Sequence, residues 1–220
     1  MVRLVVFDCD GTLVDSQHVI VATMARAFAA HDLVPPAAAA VRRVVGLSLA
    51  EAIGRLIGDP EAELRHALAR SYQQAFAELR REASFSEPMF EGAREVLVEL
   101  DRRGHLLAMA TGKSMRGARA VLEHHDIAPL FASVQTADGN PGKPHPGMLL
   151  RVMGETGSRA EETVFVGDTT FDVIMGKAAA VRPIGVAWGY HHADELRLAG
   201  AEVVLERFAQ LLDHLTGPPR

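Results

Sequence analysis

A short apolar run, Leu4-Val5-Val6-Phe7, is cut off at once by Asp8. Consecutive apolar residues rich in Val leave no polar side for water, so the run reads as a strand buried on both faces, the kind found in parallel sheets. The signature recurs at Leu106–Ala110, Thr163–Val166 and Pro183–Ala187, and more weakly at Ser133–Thr136 and Glu202–Leu205. Helical patterns lie between these runs. Gly92 to Arg103 places Ala93, Val96, Leu97 and Leu100 on one face, and Gly104 stops it. Ser114 to His125 places Ala118, Val121 and Leu122 on one face. Strand and helix alternate from residue 88 to the end, which predicts an α/β fold with a doubly wound parallel (Rossmann-like) sheet.

Residues 16–86 break the rhythm and hold no convincing strand. Val19 to Ala30 is apolar at helical spacing, and Ser48 with Glu51 forms a capping-box pattern. Asp59-Pro60 reads as an N-cap followed by Pro at the first helical position, opening a helix to about Arg81. The chain is therefore divided into an α/β unit, residues 1–15 and 87–220, and an inserted all-helical unit, residues 16–86. The insert carries eight Arg, no Lys, and seven Asp plus Glu, a net +1, which leaves −6 for the rest.

Composition narrows the function. At 220 residues and 48% hydrophobic, the chain can bury a sizeable core. Its net charge of −5 lacks the basic footprint of a nucleic-acid binder. One cysteine, Cys9, excludes an internal disulfide and suits a reducing compartment. No apolar run approaches a membrane span, and Asp8 interrupts the N-terminal run too early for a signal peptide, so a cytoplasmic protein is expected.

Chemistry gathers where the apolar runs end. Asp8-Cys9-Asp10-Gly11-Thr12 follows the first run, and alternation points Asp8 and Asp10 one way and Cys9 the other. An Asp-Gly turn needs only one Asp; two close carboxylates repel unless something positive lies between them. Gly167-Asp168 follows another run, and Asp172 comes on the first turn of the next helix. Strand ends in such a sheet line its binding crevice, so four carboxylates are expected at one edge, a set suited to Mg²⁺. Thr111-Gly112-Lys113 looks like the tail of a P-loop, but Leu107 stands where that motif requires Gly. A hydroxyl and free N–H groups at a helix start still suit a phosphate. Lys113, in the first turn, is expected to be exposed. In Pro141-Gly142-Lys143-Pro144-His145-Pro146 the prolines stiffen the loop and fix where Lys143 points, while His145 reads as structural or exposed.

The order and spacing of Asp8-x-Asp10-Gly-Thr, Thr111-Gly, Gly142-Lys143-Pro and Gly167-Asp168-Thr-x-x-Asp172 resemble the haloacid dehalogenase-like superfamily, nearest its phosphoglycolate phosphatase-like branch. The resemblance spans nearly the whole chain and makes the helical insert a cap. It implies a hydrolase acting on a small phosphate monoester, with Asp8 as nucleophile and Asp10 as acid and base. It further implies Thr111 and the Gly112 N–H on the phosphoryl oxygens and Lys143 neutralising charge. Mg²⁺ would be held by Asp8, the Asp10 carbonyl and Asp168, with Asp172 supporting the metal or orienting Lys143. Relatives with similar caps act on sugar phosphates, nucleotides or pyrophosphate. An absence of lysine from the cap argues against a sugar phosphomutase. Val44-Val45-Gly46-Leu47-Ser48 looks like the loop that relatives lower over the site, and Arg42 and Arg43 beside it are expected to meet a substrate carboxylate. The expected partner is a small phosphorylated metabolite, with neither nucleic acid nor membrane, and the protein a monomer or homodimer. A non-catalytic interaction module and a phosphoacceptor receiver domain are the other classes; intact motifs oppose the first and the helical insert the second.

Overall fold

The computed structural model describes residues 2–58 and 61–216. Six strands form one parallel sheet: β1 (Leu4–Phe7), β2 (Leu106–Thr111), β3 (Phe131–Thr136), β4 (Thr163–Gly167), β5 (Arg182–Val186) and β6 (Val203–Leu205). Their order is β3-β2-β1-β4-β5-β6. β1 therefore lies inside the sheet, paired with β2 on one side and β4 on the other. The chain winds outward from β1 to β3, then crosses to β4 on the far side, so β1 and β4 flank the switch point where such sheets bind ligands.

Alternation along β1 assigns its side chains to two cores. Val5 and Phe7, with Cys9 beyond them, join the larger cluster, which includes Val96 and Leu97 of α5 (Ala93–Arg102) and Val121 of α6 (Met115–His124). Leu4 and Val6 join the opposite cluster, with Leu149 of α7 (Gly147–Thr156) and Met175 of α8 (Thr170–Ala178). With helices on both faces, no side of β1 reaches water, which is why its sequence carries no polar residue. Helices α9 (Ala193–Ala199) and α10 (Ala209–Thr216) complete the layers.

Between β1 and α5 stand α1 (Gln17–Ala29), α2 (Ala38–Val44), α3 (Leu49–Leu56) and α4 (Ala62–Leu79). They pack round an apolar cluster of their own that includes Met24, Phe28, Val41, Ile53 and Leu68. The expected Asp59-Pro60 cap lies outside the described residues. Ser48 Oγ does accept from Glu51 N, at 3.4 Å, while the Glu51 side chain turns to Arg55 instead of closing the box. The segments leaving and re-entering the α/β unit run side by side. Val14 bridges Met89 antiparallel, Asp15 N donates to Pro88 O at 2.8 Å, and Phe90 N donates to Leu13 O at 3.0 Å.

Candidate active site

The central strand delivers the first carboxylate. Asp8 N donates to Val166 O at 2.9 Å, so the ladder with β4 continues one residue past β1 and holds Asp8 at the carboxyl edge of the sheet. Asp168 follows β4 directly. Its Oδ1 accepts from Thr12 Oγ1 at 3.0 Å and its Oδ2 from Tyr190 N at 2.9 Å. Asp172 sits on the first turn of α8, where a capping box with Thr169 fixes it: Asp172 Oδ2 accepts from Thr169 N and Thr169 Oγ1. Asp8, Asp168 and Asp172 offer oxygens that all lie within 4.8 Å of one another.

Three glycines make that approach possible. A methyl at Gly11, whose φ is +81°, would stand 2.3 Å from Asp168 Oδ2. One at Gly189 would stand 2.1 Å from Asp168 Cβ, and one at Gly167 would stand 2.4 Å from Asp172 Cβ.

Lys143 enters from the proline-bounded loop after β3 and is fully buried. Its Nζ lies 2.7 Å from Asp8 Oδ1 and 2.7 Å from Asp172 Oδ1, two close buried ion pairs. Burial pulls the ammonium down, but Asp172 and Asp8 hold it above the ordinary lysine value. Burial pushes the Asp8 carboxyl up to about 7 despite Lys143, and Asp172 and Asp10 add to the rise. Burial, then Asp172 and Asp8, push Asp168 well above the usual carboxylate range. Fully ionised, the cluster would lack positive charge: three carboxylates would face one ammonium, a deficit of two charges. Asp8 Oδ2 is buried and accepts no hydrogen bond among the described residues. An orphaned oxygen, hard donors and a missing double charge fit a divalent cation.

Thr111 ends β2 beside this cluster and Gly112 follows, both lining a cavity of about 610 Å³ together with Asp8 and Asp10. The Gly46 loop lies directly on this edge. A methyl at Gly112 would stand 2.6 Å from Gly46 O and 2.7 Å from Leu47 O. We expect Gly112→Ala to lift that loop, lower kcat/KM about tenfold and lower the melting temperature by a few degrees, the size of a modest overpacking penalty.

Over residues 5–186 the chain matches the family model of the haloacid dehalogenase-like hydrolases. The chain belongs to that family. Among haloacid dehalogenase-like hydrolases and their relatives it is similar to "Probable phosphatase IndB" of Dickeya dadantii, 38% identical over 96% of this chain and 93% of that one. It is 31% identical to a phosphoglycolate phosphatase of Pseudomonas putida, over 98% of this chain and 80% of that one. A solved hydrolase structure from Pseudomonas syringae superposes with a TM-score of 0.86 at 27% identity, covering 98% of each chain.

Within the hydrolase, several expectations need correction. The fourth carboxylate, Asp10, is not part of that cluster; its Oδ1 accepts from Ser16 Oγ at 2.5 Å and Lys113 Nζ at 2.7 Å. Lys113 is not an exposed lysine; its side chain is 7% exposed, because two carboxylates compensate its burial. Arg43 does not face the site. It makes a two-pronged ion pair with Glu195 at 2.6 and 2.8 Å, outside the cavity. Arg42, in the last turn of α2, does not line the cavity either. The cations on its wall come from elsewhere: Arg80 and Arg81 past the end of α4, Lys113 just before α6, and Arg116 on α6. Sequence reasoning also missed Thr12, Ser16 and Tyr190 as partners of the acidic groups, and Glu87 as the partner of Lys113. Thr12 alone carried a signal, since it belongs to the first motif.

Proposed function

We propose that this hydrolase is a Mg²⁺-dependent phosphatase of a small, phosphoglycolate-like phosphate monoester, working through an aspartyl-phosphate on Asp8. One observation carries the reading: a buried, partnerless Asp8 oxygen stands among two further carboxylates and a buried lysine, two positive charges short when fully ionised. The names of the Dickeya and Pseudomonas putida relatives support it.

In the proposed reaction an Asp8 oxygen attacks phosphorus in line, the bond to the ester oxygen breaks, and Asp10 gives that oxygen a proton. Asp10 then takes a proton from water, which attacks the same phosphorus and releases Asp8 and inorganic phosphate. Thr111 and the Gly112 N–H hold the phosphoryl oxygens, and Lys143 balances charge on Asp8. Asp8, Asp168 and the Asp10 carbonyl would hold Mg²⁺, which would supply Lewis-acid stabilisation of the phosphoryl oxygens. Asp172 keeps Lys143 in place, since one of its oxygens faces Lys143 and the other is taken by Thr169.

A second reading has its own observation. The cavity of about 610 Å³ carries apolar walls including Ile20, Met24 and Phe76, room for an ester bulkier than phosphoglycolate, such as a sugar phosphate or nucleotide.

The test is phosphate release from p-nitrophenyl phosphate, phosphoglycolate, sugar phosphates and nucleotides, with Mg²⁺ and with excess EDTA. We expect EDTA to lower every rate at least a hundredfold, Mg²⁺ to restore it and Ca²⁺ to restore little. Full activity in chelator would remove the metal from the reading. A preference for nucleotides or sugar phosphates would select the second reading.

A further inference from the structure

Lys113 contributes a side chain whose contacts the proposed reaction leaves unexplained. Its backbone N donates to Thr111 Oγ1 at 3.2 Å, and its chain reaches past the strand end to Asp10. The ammonium lies 2.7 Å from Asp10 Oδ1, 2.9 Å from Glu87 Oε1, and 5.4 Å from the centre of the Phe76 ring. Glu87 is itself buried, on the segment that returns from the helical insert, and its Oε2 accepts from Arg80 Nη2 at 3.3 Å. Two acids and two bases make this group neutral without any added ion, unlike the Asp8 cluster. The ammonium thus faces two carboxylates and an aromatic ring. Burial would pull Lys113 down, but Asp10 and Glu87 keep it well above the ordinary lysine value, so it stays charged.

The effect on Asp10 is one-sided. Its Oδ1 is taken twice, by Lys113 and by Ser16, while Oδ2 accepts no hydrogen bond among the described residues and Asp10 lines the cavity. We infer that Lys113 is a positioning residue for Asp10, clamping Oδ1 against Glu87 and Ser16 so that Oδ2 is the oxygen that exchanges the proton with the leaving group. The inference rests on the phosphatase reading. Held carboxylates lose less orientation on reaching the transition state, and a displacement of about 1 Å can cost on the order of a hundredfold. The clamp also faces the negative charge that returns to Asp10 as its proton leaves.

Leaving-group dependence separates this role from a structural one. kcat/KM covers the steps up to departure of the alcohol, so it reports proton delivery to the ester oxygen. p-Nitrophenolate departs with little help, whereas an alkoxide, as from phosphoglycolate, needs the proton. With the full-length protein and Mg²⁺, Lys113→Met should lower kcat/KM about thirtyfold for phosphoglycolate and about threefold for p-nitrophenyl phosphate. Lys113→Arg, which keeps charge and reach, should recover most of the difference. Glu87→Gln should shift the ratio of the two esters in the same direction by severalfold, and it carries the test should Lys113→Met not fold. An equal loss on both esters, or a rise in KM alone on both, would overturn the inference and make Lys113 a structural or substrate-binding residue. Wild-type protein that turns over neither ester would overturn the phosphatase reading and the inference together.

Discussion

Asp8→Asn should fold and turn over no phosphate ester. The amide is a poor nucleophile, and no other group in the cluster stands at the end of the central strand. Loss of a nucleophile costs on the order of 10⁴- to 10⁶-fold, so residual p-nitrophenyl phosphate turnover above a few per cent would reject the assignment. Stability should move the other way. Folded Asp8 keeps its proton up to about 7, whereas an ordinary aspartate releases it near 3.8. A folded carboxyl raised above its unfolded value loses stability as pH climbs between those two points, and asparagine loses nothing there. In chelator, the melting temperature of the variant relative to wild type should therefore rise from about pH 4 to pH 7. Added Mg²⁺ should then raise the wild type more than the variant, because ligand binding stabilises only the state that binds it.

Lys143→Met should disable the protein and weaken it. Methionine fills much of the slot over the Phe165 ring but leaves Asp8 and Asp172 buried without their cation. Breaking a buried pair by removing one partner costs about 3–5 kcal/mol, or a melting point lower by about 10 °C in a chain this long. Turnover should fall about a thousandfold, the scale of losing one preorganised donor at a developing charge. Lys143→Arg should not rescue it, because a planar guanidinium does not fit a site that admits no solvent. Thermal melts and p-nitrophenyl phosphate rates on both variants check this, and a Lys143→Arg protein with near-normal turnover would contradict it.

Asp8 and Asp168 were legible because each follows a run with no polar face, and Lys143 because prolines bound its loop. A strand covered on both sides must be apolar, so its first polar residue marks the sheet edge; Asp8 and Asp168 fall there by construction. All six strands were found this way, with ends shifted by up to two residues. What stayed hidden depends on residues far apart in the chain. Lys113 looks like any solvated first-turn lysine until Glu87, 26 positions earlier, is placed beside it. Arg43 looks free until Glu195, 152 positions later, closes on it. Neither pairing leaves a period or a motif. Helix α2 escaped for a different reason: its alanines carry strong helix propensity, but Ala37–Ala40 read as a plain run and only Val41 and Val44 mark the buried side.

Gly11, Gly167 and Gly189 bring no reactive group, yet any side chain there would strike Asp168 or Asp172. In a survey of every single substitution these three positions should score as intolerant as the aspartates themselves. Such a map would trace the wall of a cradle along with the reagents inside it, and sensitivity alone could not tell one from the other. Transplanting this chemistry onto another parallel sheet would require moving the empty positions along with the acidic ones.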